Sequence, residues 1–307
     1  MGRALSDKFF NHLCSGDLAA LTRRVSKDDT LMLALRGQYI NVYYRGGSIL
    51  KLTEQPGGYE AEFDYNYNLE VLPDGWARPP VKVETEQHLQ AWLDALPTLK
   101  ECMNFYFTKH PKAEREFQQI VAWENNRSAV ANETEYFITD IEYADSEIGA
   151  RFDLLGVKWL AGDRGKPERC RPFLVEMKYG SKAFGGKSGI EAHLSHLKSR
   201  LGHPENRKKI GNDIVAQFNQ LSKLGVIKSN GKKLDEAAVA AADPEVIFLL
   251  ANHNPRSSTL LKVLNELSEP EEFALRFFVA GFAGYAMHDA YMITLDEMKA
   301  RLNAFGK

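Results

Sequence analysis

The chain has 307 residues, with 39 Lys and Arg against 41 Asp and Glu and a formal net charge of −2. This balance excludes a protein that coats nucleic acid by bulk positive charge, and 44% apolar residues exclude a largely disordered chain. There is no apolar run near the roughly 20 residues of a membrane span, and no secretory signal. The three cysteines, Cys14, Cys102 and Cys170, are too far apart for a disulfide framework. We therefore expect a cytoplasmic protein that does not bind membranes.

The first 110 residues predict short helices followed by a small antiparallel β meander. Apolar side chains at helical spacing favour short helices within 1–30. The strands are predicted where β-rich runs are separated by glycine-containing turns, at 31–35, 39–44, 48–52 and 58–65. The proline-containing stretch 73–80 predicts a loop, and two helices, 86–96 and 97–108, follow it. We assign this region to recognition or interaction.

From residue 112 the pattern changes to mixed helix and strand, which predicts a second domain over 111–307. Residues 112–126 carry an apolar helical stripe that starts after Pro111. We then expect three strands (135–143, 151–160, 171–179), two helices between 189 and 224, a buried strand (244–251), a helix (273–286), an edge strand (291–295) and a last helix from 296. The predicted class is α+β, with an α/β core, the N-terminal meander and helical extensions.

Charge is distributed unevenly along the chain. Residues 53–147 contain 19 acidic and 7 basic residues, a net charge of −12, whereas residues 164–209 contain 12 basic and 4 acidic residues, a net charge of +8. Two solvated faces that cancel each other are one interpretation. The other is that the basic segment contacts phosphates and the acidic segment meets a partner protein or a second copy of the chain.

The strand predicted at 171–179 contains Glu176-Met177-Lys178. Alternation along a strand places Glu176 and Lys178 on one face, about 7 Å apart. The preceding strand holds Asp153 between apolar neighbours, where a carboxylate needs a cationic partner or a metal ion. If the two strands pair, Asp153 and Glu176 converge on one divalent ion, with the carbonyl of Val175 as a further ligand. Oxygen ligands of this kind suit Mg²⁺ or Mn²⁺.

These residues, in this order of elements, resemble the PD-(D/E)XK nuclease superfamily, which includes restriction endonucleases, RecB-like exonucleases and Holliday junction resolvases. The family core is a helix, a three-stranded antiparallel meander, a second helix and a further strand, and residues 112–254 follow that order. The resemblance implies a restriction-endonuclease-like core in which Asp153, Glu176 and Lys178 are catalytic. Phe152 stands where the family has its name-giving proline.

The resemblance also implies supporting residues. Many members add a Glu from the first core helix, and here Glu114 fits best, with Glu116 and Glu124 as competitors. Gln217 is similar to the glutamine that RecB-like members carry beside the active site.

Basic residues after the Glu-X-Lys strand are candidates for nucleic-acid contacts. They are Lys182, Lys187, Arg200, Lys208 and Lys209. Phe184 lies in a glycine-rich loop among them, where it could stack on a base. His193 and His196 share a helix face, and phosphate contact or plain surface is favoured for them over a zinc site.

The sequence thus predicts a Mg²⁺-dependent nuclease that hydrolyses phosphodiester bonds, with DNA favoured over RNA, in DNA processing, restriction or phage defence. Two alternatives stay open. One is a catalytically inactive nuclease fold that serves as a binding or assembly module, in which Lys178 forms a structural salt bridge with one of the acids. The other is a nuclease subunit that is active only within a complex.

Overall fold

The computed structural model describes residues 2–64, 66, 67, 72–131, 133–229, 233–253, 258–280, 287 and 289–305. It is a mixed α+β chain that divides into two compact units. The first unit is Met1–Trp123 with Gln220–Gly231, and the second is Glu124–Asn219 with Lys232–Lys307. The sequence predicts the domain boundary at residue 110. The structure instead divides the units between residues 123 and 124, within the helix that follows. Within the described ranges, the helices are too short or too polar to cross a membrane.

The first unit contains two short helices, a five-stranded sheet and a long helix. The helices α1 (Asp7–Cys14) and α2 (Ala19–Lys27) come first. The strands are β1 (Leu31–Leu35), β2 (Tyr39–Tyr44), β3 (Gly47–Gln55), β4 (Gly58–Glu62) and β5 (Lys82–Val83), and the helix α3 (Glu86–Lys109) follows them. The strands are antiparallel in the order β1-β2-β3-β4-β5. The predicted meander is confirmed. The sequence does not predict β5, and Tyr65, the predicted end of the fourth strand, lies outside the described residues.

The prediction of two helices, 86–96 and 97–108, is wrong, because α3 runs unbroken through Pro97. Thr85 caps the start of α3 by accepting a hydrogen bond from the His88 backbone N–H. Buried side chains continue on both sides of the proline, with Leu96 before it and Leu99 after it. The buried face therefore outweighs the one backbone hydrogen bond that the proline cannot donate.

The second unit contains a five-stranded sheet and several helices. It begins with the end of the helix α4 (Ala113–Asn126) and the strands β6 (Tyr136–Asp145), β7 (Ala150–Lys158) and β8 (Arg171–Tyr179). The helices α5 (Ile190–Leu201), α6 (Pro204–Lys223) and α7 (Glu236–Ala241) follow. The last elements are β9 (Glu245–Ala251), α8 (Ser258–Glu266), β10 (Ala274–Ala280) and α9 (Leu295–Phe305). The strand order is β10-β9-β8-β7-β6. Strands β6, β7 and β8 form an antiparallel meander, and β8, β9 and β10 are parallel. The four strands predicted from 135 to 251 and the two helices between them are confirmed.

The C-terminal prediction is wrong in part. Residues 274–280 form the parallel strand β10 where a helix is predicted, and 281–286 lie outside the described residues. The segment Phe277-Phe278-Val279 has the aromatic and β-branched composition of a strand, and pairing with β9 outweighs its weak helical periodicity. In place of the predicted strand 291–295 there is one bridge, between Ile293 and Phe277. The last helix, α9, is confirmed.

Candidate functional site

The central strand of the second sheet carries the Glu-X-Lys residues. Strand β8 pairs with β7 on one side and β9 on the other, so its backbone is held along both edges. Glu176 lies opposite Phe248 of β9, and Lys178 lies opposite Leu250. Both residues are buried, at 6% and 4% exposed. Two opposite charges are thus fixed on one face of a strand that cannot shift without breaking two ladders.

Asp153 lies beside this motif. The pairing of β7 with β8 aligns Leu154 with Val175, which places Asp153 one residue beyond this aligned pair. There the backbone N–H of Met177 donates a 2.7 Å hydrogen bond to Asp153 Oδ2. The predicted pairing of the two strands is present, and it ties the Asp153 carboxylate to the middle residue of the Glu-Met-Lys triplet.

Two nitrogen groups contact the same oxygen of Glu176. Lys178 Nζ lies 3.7 Å from Glu176 Oε1, and His193 Nδ1, from α5, lies 2.5 Å from it. The histidine side chain is 32% exposed, whereas the glutamate side chain is 7% exposed. Sequence spacing does not reveal the histidine contact, because it depends on how α5 packs over the sheet.

The glycine-rich segment between β8 and α5 is compact. Phe184 is fully buried, with its ring 5.8 Å from that of His253, so the prediction that it stacks on a base is wrong. The backbone N–H of Ile190 donates to the carbonyl of Phe184 at 3.0 Å, which closes the segment. The apolar ring is more stable in the core than on the loop surface.

Gln217 is fully buried in α6, and its Nε2 donates a 3.0 Å hydrogen bond to Asp140 Oδ2 of β6. Asp140 is also fully buried, and it follows the irregularity in pairing between Ile138 and Asp140. Asp140 is not among the residues predicted from sequence, although a carboxylate within a strand of mostly apolar residues is the same signal that identifies Asp153. The pair is a second buried polar contact on the meander.

The candidate phosphate-binding cations differ in their surroundings. Lys182, Lys187 and Lys208 are exposed and Arg200 is half-buried. Lys209 is engaged by three carboxylates: it pairs with Asp145 and lies 3.7 Å from Glu147 and 3.6 Å from Asp213. These acids offset its charge, which makes Lys209 the weakest of the five candidates for binding a phosphate.

The candidate glutamates of α4 lie in different units, because the boundary between the units falls within this helix. Glu116 belongs to the first unit, where it forms a two-pronged salt bridge with Arg45 at 2.8 and 3.1 Å. Glu114 also lies in the first unit, and its role as a metal ligand stays a prediction. The same holds for the carbonyl of Val175.

The donor set at Asp153 and Glu176 is small. Within the described parts of the chain, no cluster of three or more His, Cys, Asp or Glu could hold a metal ion. Mg²⁺ is commonly held by one or two carboxylates together with waters and substrate phosphates. Two carboxylates on adjacent strands, one of them buried beside a lysine, therefore fit Mg²⁺ or Mn²⁺ better than they fit an ion that needs a full protein cage.

A cavity of about 950 Å³ opens at the other end of these strands. Its lining includes Arg171, where β8 begins, and Glu245, where β9 begins. From Arg171 to Glu176 the strand extends about 17 Å, so this cavity is separate from the candidate site. Cys170 also lines it, and burial raises the pKa of this thiol to about 12, which keeps it protonated and unreactive at neutral pH.

Compared with protein families, curated proteins and solved structures, the chain matches none of them.

Proposed function

We propose that this chain is a divalent-metal-dependent nuclease of the PD-(D/E)XK type, with a restriction-endonuclease-like core in its second unit. The observation that carries the proposal is the hydrogen bond from the Met177 backbone N–H to Asp153 Oδ2, which brings the acid of β7 to the Glu-X-Lys triplet of β8. The order of elements along the chain, a helix, an antiparallel meander, helices and a parallel strand, is the order that this family uses.

Each residue has a distinct chemical role in this proposal. Asp153 and Glu176 hold the metal ion through carboxylate oxygens. When bound, a divalent ion polarises a phosphoryl oxygen and lowers the pKa of a coordinated water. Lys178 places its positive charge where negative charge develops on the phosphate, and its burial strengthens that interaction.

DNA is the proposed substrate class, ahead of RNA. The preference for DNA comes from the family resemblance alone, whereas the exposed lysines that follow β8, Lys182, Lys187 and Lys208, support binding of a nucleic-acid backbone of either kind. Cations of this kind contact phosphates without reading sequence, and they make binding depend on salt concentration. DNA processing, restriction or phage defence is the corresponding setting. The acidic region 53–147 is the proposed surface for a protein partner or a second copy of the chain.

The first experiment incubates the protein with linear, circular, single-stranded and branched DNA and with RNA, each with Mg²⁺, Mn²⁺ or EDTA. We expect cleavage that requires metal. Asp153→Asn and Lys178→Met should lower the cleavage rate at least about a hundredfold, because each removes charge from the site. The rates are measured on the best substrate at a saturating metal concentration.

Matched controls come from α8, where Lys262 and Glu266 are exposed. Lys262→Met and Glu266→Gln make the same chemical changes away from the site and should cleave like the unaltered protein. Thermal unfolding of every variant shows whether the fold is kept. Full cleavage by folded Asp153→Asn and Lys178→Met would rule out this active site.

One observation favours the non-catalytic alternative, a binding or assembly module. Glu176 is contacted by both Lys178 and His193, so its charge is already partly compensated within the chain. Calorimetric titration with Mn²⁺ separates the two functions. Binding that is lost in Asp153→Asn supports the nuclease, whereas no Mn²⁺ binding and no cleavage of any substrate supports the module. Cleavage that appears only after a partner protein is added supports a subunit of a complex.

A further inference from the structure

His193 lies close to the candidate metal site but is absent from the Glu-X-Lys motif. Its Nδ1 lies 2.5 Å from Glu176 Oε1, closer than Lys178 Nζ, which lies 3.7 Å from the same oxygen. An imidazole whose Nδ1 carries the hydrogen attracts a carboxylate oxygen at this distance. The histidine therefore restrains the rotation of the Glu176 carboxylate.

The backbone around His193 is itself well anchored. Its N–H donates a 3.1 Å hydrogen bond to the carbonyl of Gly189, within the first turn of α5. The N–H of Gly189 in turn donates a 3.0 Å hydrogen bond to the carbonyl of Gly186. The imidazole is thus carried by a connection that backbone hydrogen bonds close, which suits a residue that orients another side chain.

The two contacts on Glu176 fall on one oxygen. With Oε1 beside His193 and Lys178, the carboxylate has Oε2 for a further ligand. Side chains that hold a metal-binding carboxylate in one orientation raise metal affinity, because the ligand does not have to be ordered when the ion binds. The neighbouring histidine of α5, His196, is exposed and makes no such contact among the described residues.

We propose that His193 is a positioning residue of the metal site, which holds Glu176 by Oε1 so that Oε2 is presented to the ion. The inference rests on the proposed function, because it needs Glu176 to be a metal ligand. It assigns to α5 a part in the site that the Glu-X-Lys motif does not contain. His193 acts through Glu176 and does not touch the substrate.

The test is calorimetric titration of the full chain with MnCl₂, alone and without nucleic acid. We expect His193→Ala to raise the Kd for Mn²⁺ about 10- to 100-fold, as is typical when the partner of a metal ligand is removed. His193→Asn places an amide N–H near the position of Nδ1 and should recover most of that affinity. His196→Ala, a matched change three residues further along the same helix, should bind Mn²⁺ like the unaltered protein.

Cleavage measured across Mn²⁺ concentrations gives a second readout. For a positioning residue, the metal concentration that gives half-maximal activity rises in His193→Ala, while the rate at saturating metal changes little. Unchanged or tighter Mn²⁺ binding in His193→Ala, or no recovery in a folded His193→Asn, overturns the inference. Glu176→Gln distinguishes failure of the His193 inference from failure of the proposed function. If Glu176→Gln abolishes Mn²⁺ binding and His193→Ala leaves Mn²⁺ binding unchanged, only the role of His193 fails. If the unaltered protein binds no Mn²⁺, the inference about His193 fails, and the proposed function fails with it when no substrate is cleaved.

Discussion

Gly189, the residue before α5, has no room for a side chain. A Cβ added there would lie 2.6 Å from the carbonyl oxygen of Phe184 and 2.7 Å from the carbonyl carbon of Gly185. Both are backbone atoms, so neither can move aside by a change of rotamer. The absence of a side chain at 189 is therefore a steric requirement of the connection between β8 and α5.

We predict that Gly189→Ala destabilises the protein by about 1–3 kcal/mol, because the backbone must shift to admit the methyl group. Gly185→Ala is the matched control, since a Cβ at Gly185 would meet no atom within 4 Å and its φ is −115°. The control should be neutral or slightly stabilising. Urea unfolding measures both variants, and equal midpoints for the two would contradict the steric argument.

Polar contacts of single residues can be predicted from sequence where local chemistry decides them. The sequence predicts a partner for Asp153, a carboxylate between apolar neighbours, and strand alternation places Glu176 and Lys178 on one face. The structure shows these contacts, and the catalytic role of the three residues stays a prediction. The prediction is wrong for Phe184, whose glycine-rich neighbours suggest an exposed loop although the ring is in the core. The contact of His193 with Glu176 is not predicted, because it depends on the placement of a whole helix.

At the scale of elements, Asp145 connects the end of β6 to α6. It pairs with Lys209, and it accepts hydrogen bonds from the backbone N–H groups of Glu147 and Ile148 at 2.9 and 3.4 Å. Burial alone would raise the pKa of this carboxyl, but the hydrogen bond from Lys209 and the two backbone donors bring it below its ordinary value of 3.8. The charged form is therefore favoured in the folded state.

This pKa shift gives a pH dependence with a definite sign. Because the folded pKa lies below the unfolded one, the stabilisation by Asp145 is complete above pH 3.8 and is lost as the pH falls through the lowered folded pKa. Asp145→Asn should cost about 1–3 kcal/mol at pH 7, and this difference from the unaltered protein should shrink on acidification. Urea midpoints at pH 7, 4 and 2.5 measure it. A difference that stays constant down to pH 2.5 would contradict the assignment.

Element type could be predicted where the hydrophobic pattern and the pairing agree. The sequence predicts β6 to β9 because their runs are β-rich and bounded by turn residues. It mistakes β10 for a helix, since parallel pairing with β9 is a long-range interaction that a local window does not contain. At Pro97 the sequence predicts a break between two helices, but α3 is continuous because residues on both sides of the proline are buried.

At the scale of the whole molecule, the first unit is assembled from two separate stretches of chain. Gln220, in the returning segment, receives a 2.9 Å hydrogen bond from the backbone N–H of Leu5 and donates one of 3.1 Å to its carbonyl. Lys223 lies over the ring of Phe10 at 5.2 Å, and Leu221 is buried. The sequence did not predict this return, because nothing in the local pattern of α6 marks where one unit ends.

We predict that Gln220→Ala lowers the stability of the first unit selectively, by about 1–3 kcal/mol, because two backbone groups lose their partner. Amide hydrogen exchange of the full chain measures the effect unit by unit. Protection should fall in β1 to β4 and remain unchanged in β6 to β9. Gln55→Ala, an exposed change in β3, serves as the control. Loss of protection in the second sheet instead would contradict the grouping of 220–231 with the first unit.

The return of 220–231 also affects how the chain folds during its synthesis. A ribosome adds about 5–20 residues per second, so the roughly 100 residues between 123 and 220 take about 5–20 s to make. Throughout that interval the first unit lacks its buried residues Leu221, Leu224, Val226 and Ile227. The first unit therefore cannot finish folding when its N-terminal stretch leaves the ribosome, and has to wait until the segment 220–231 has been made.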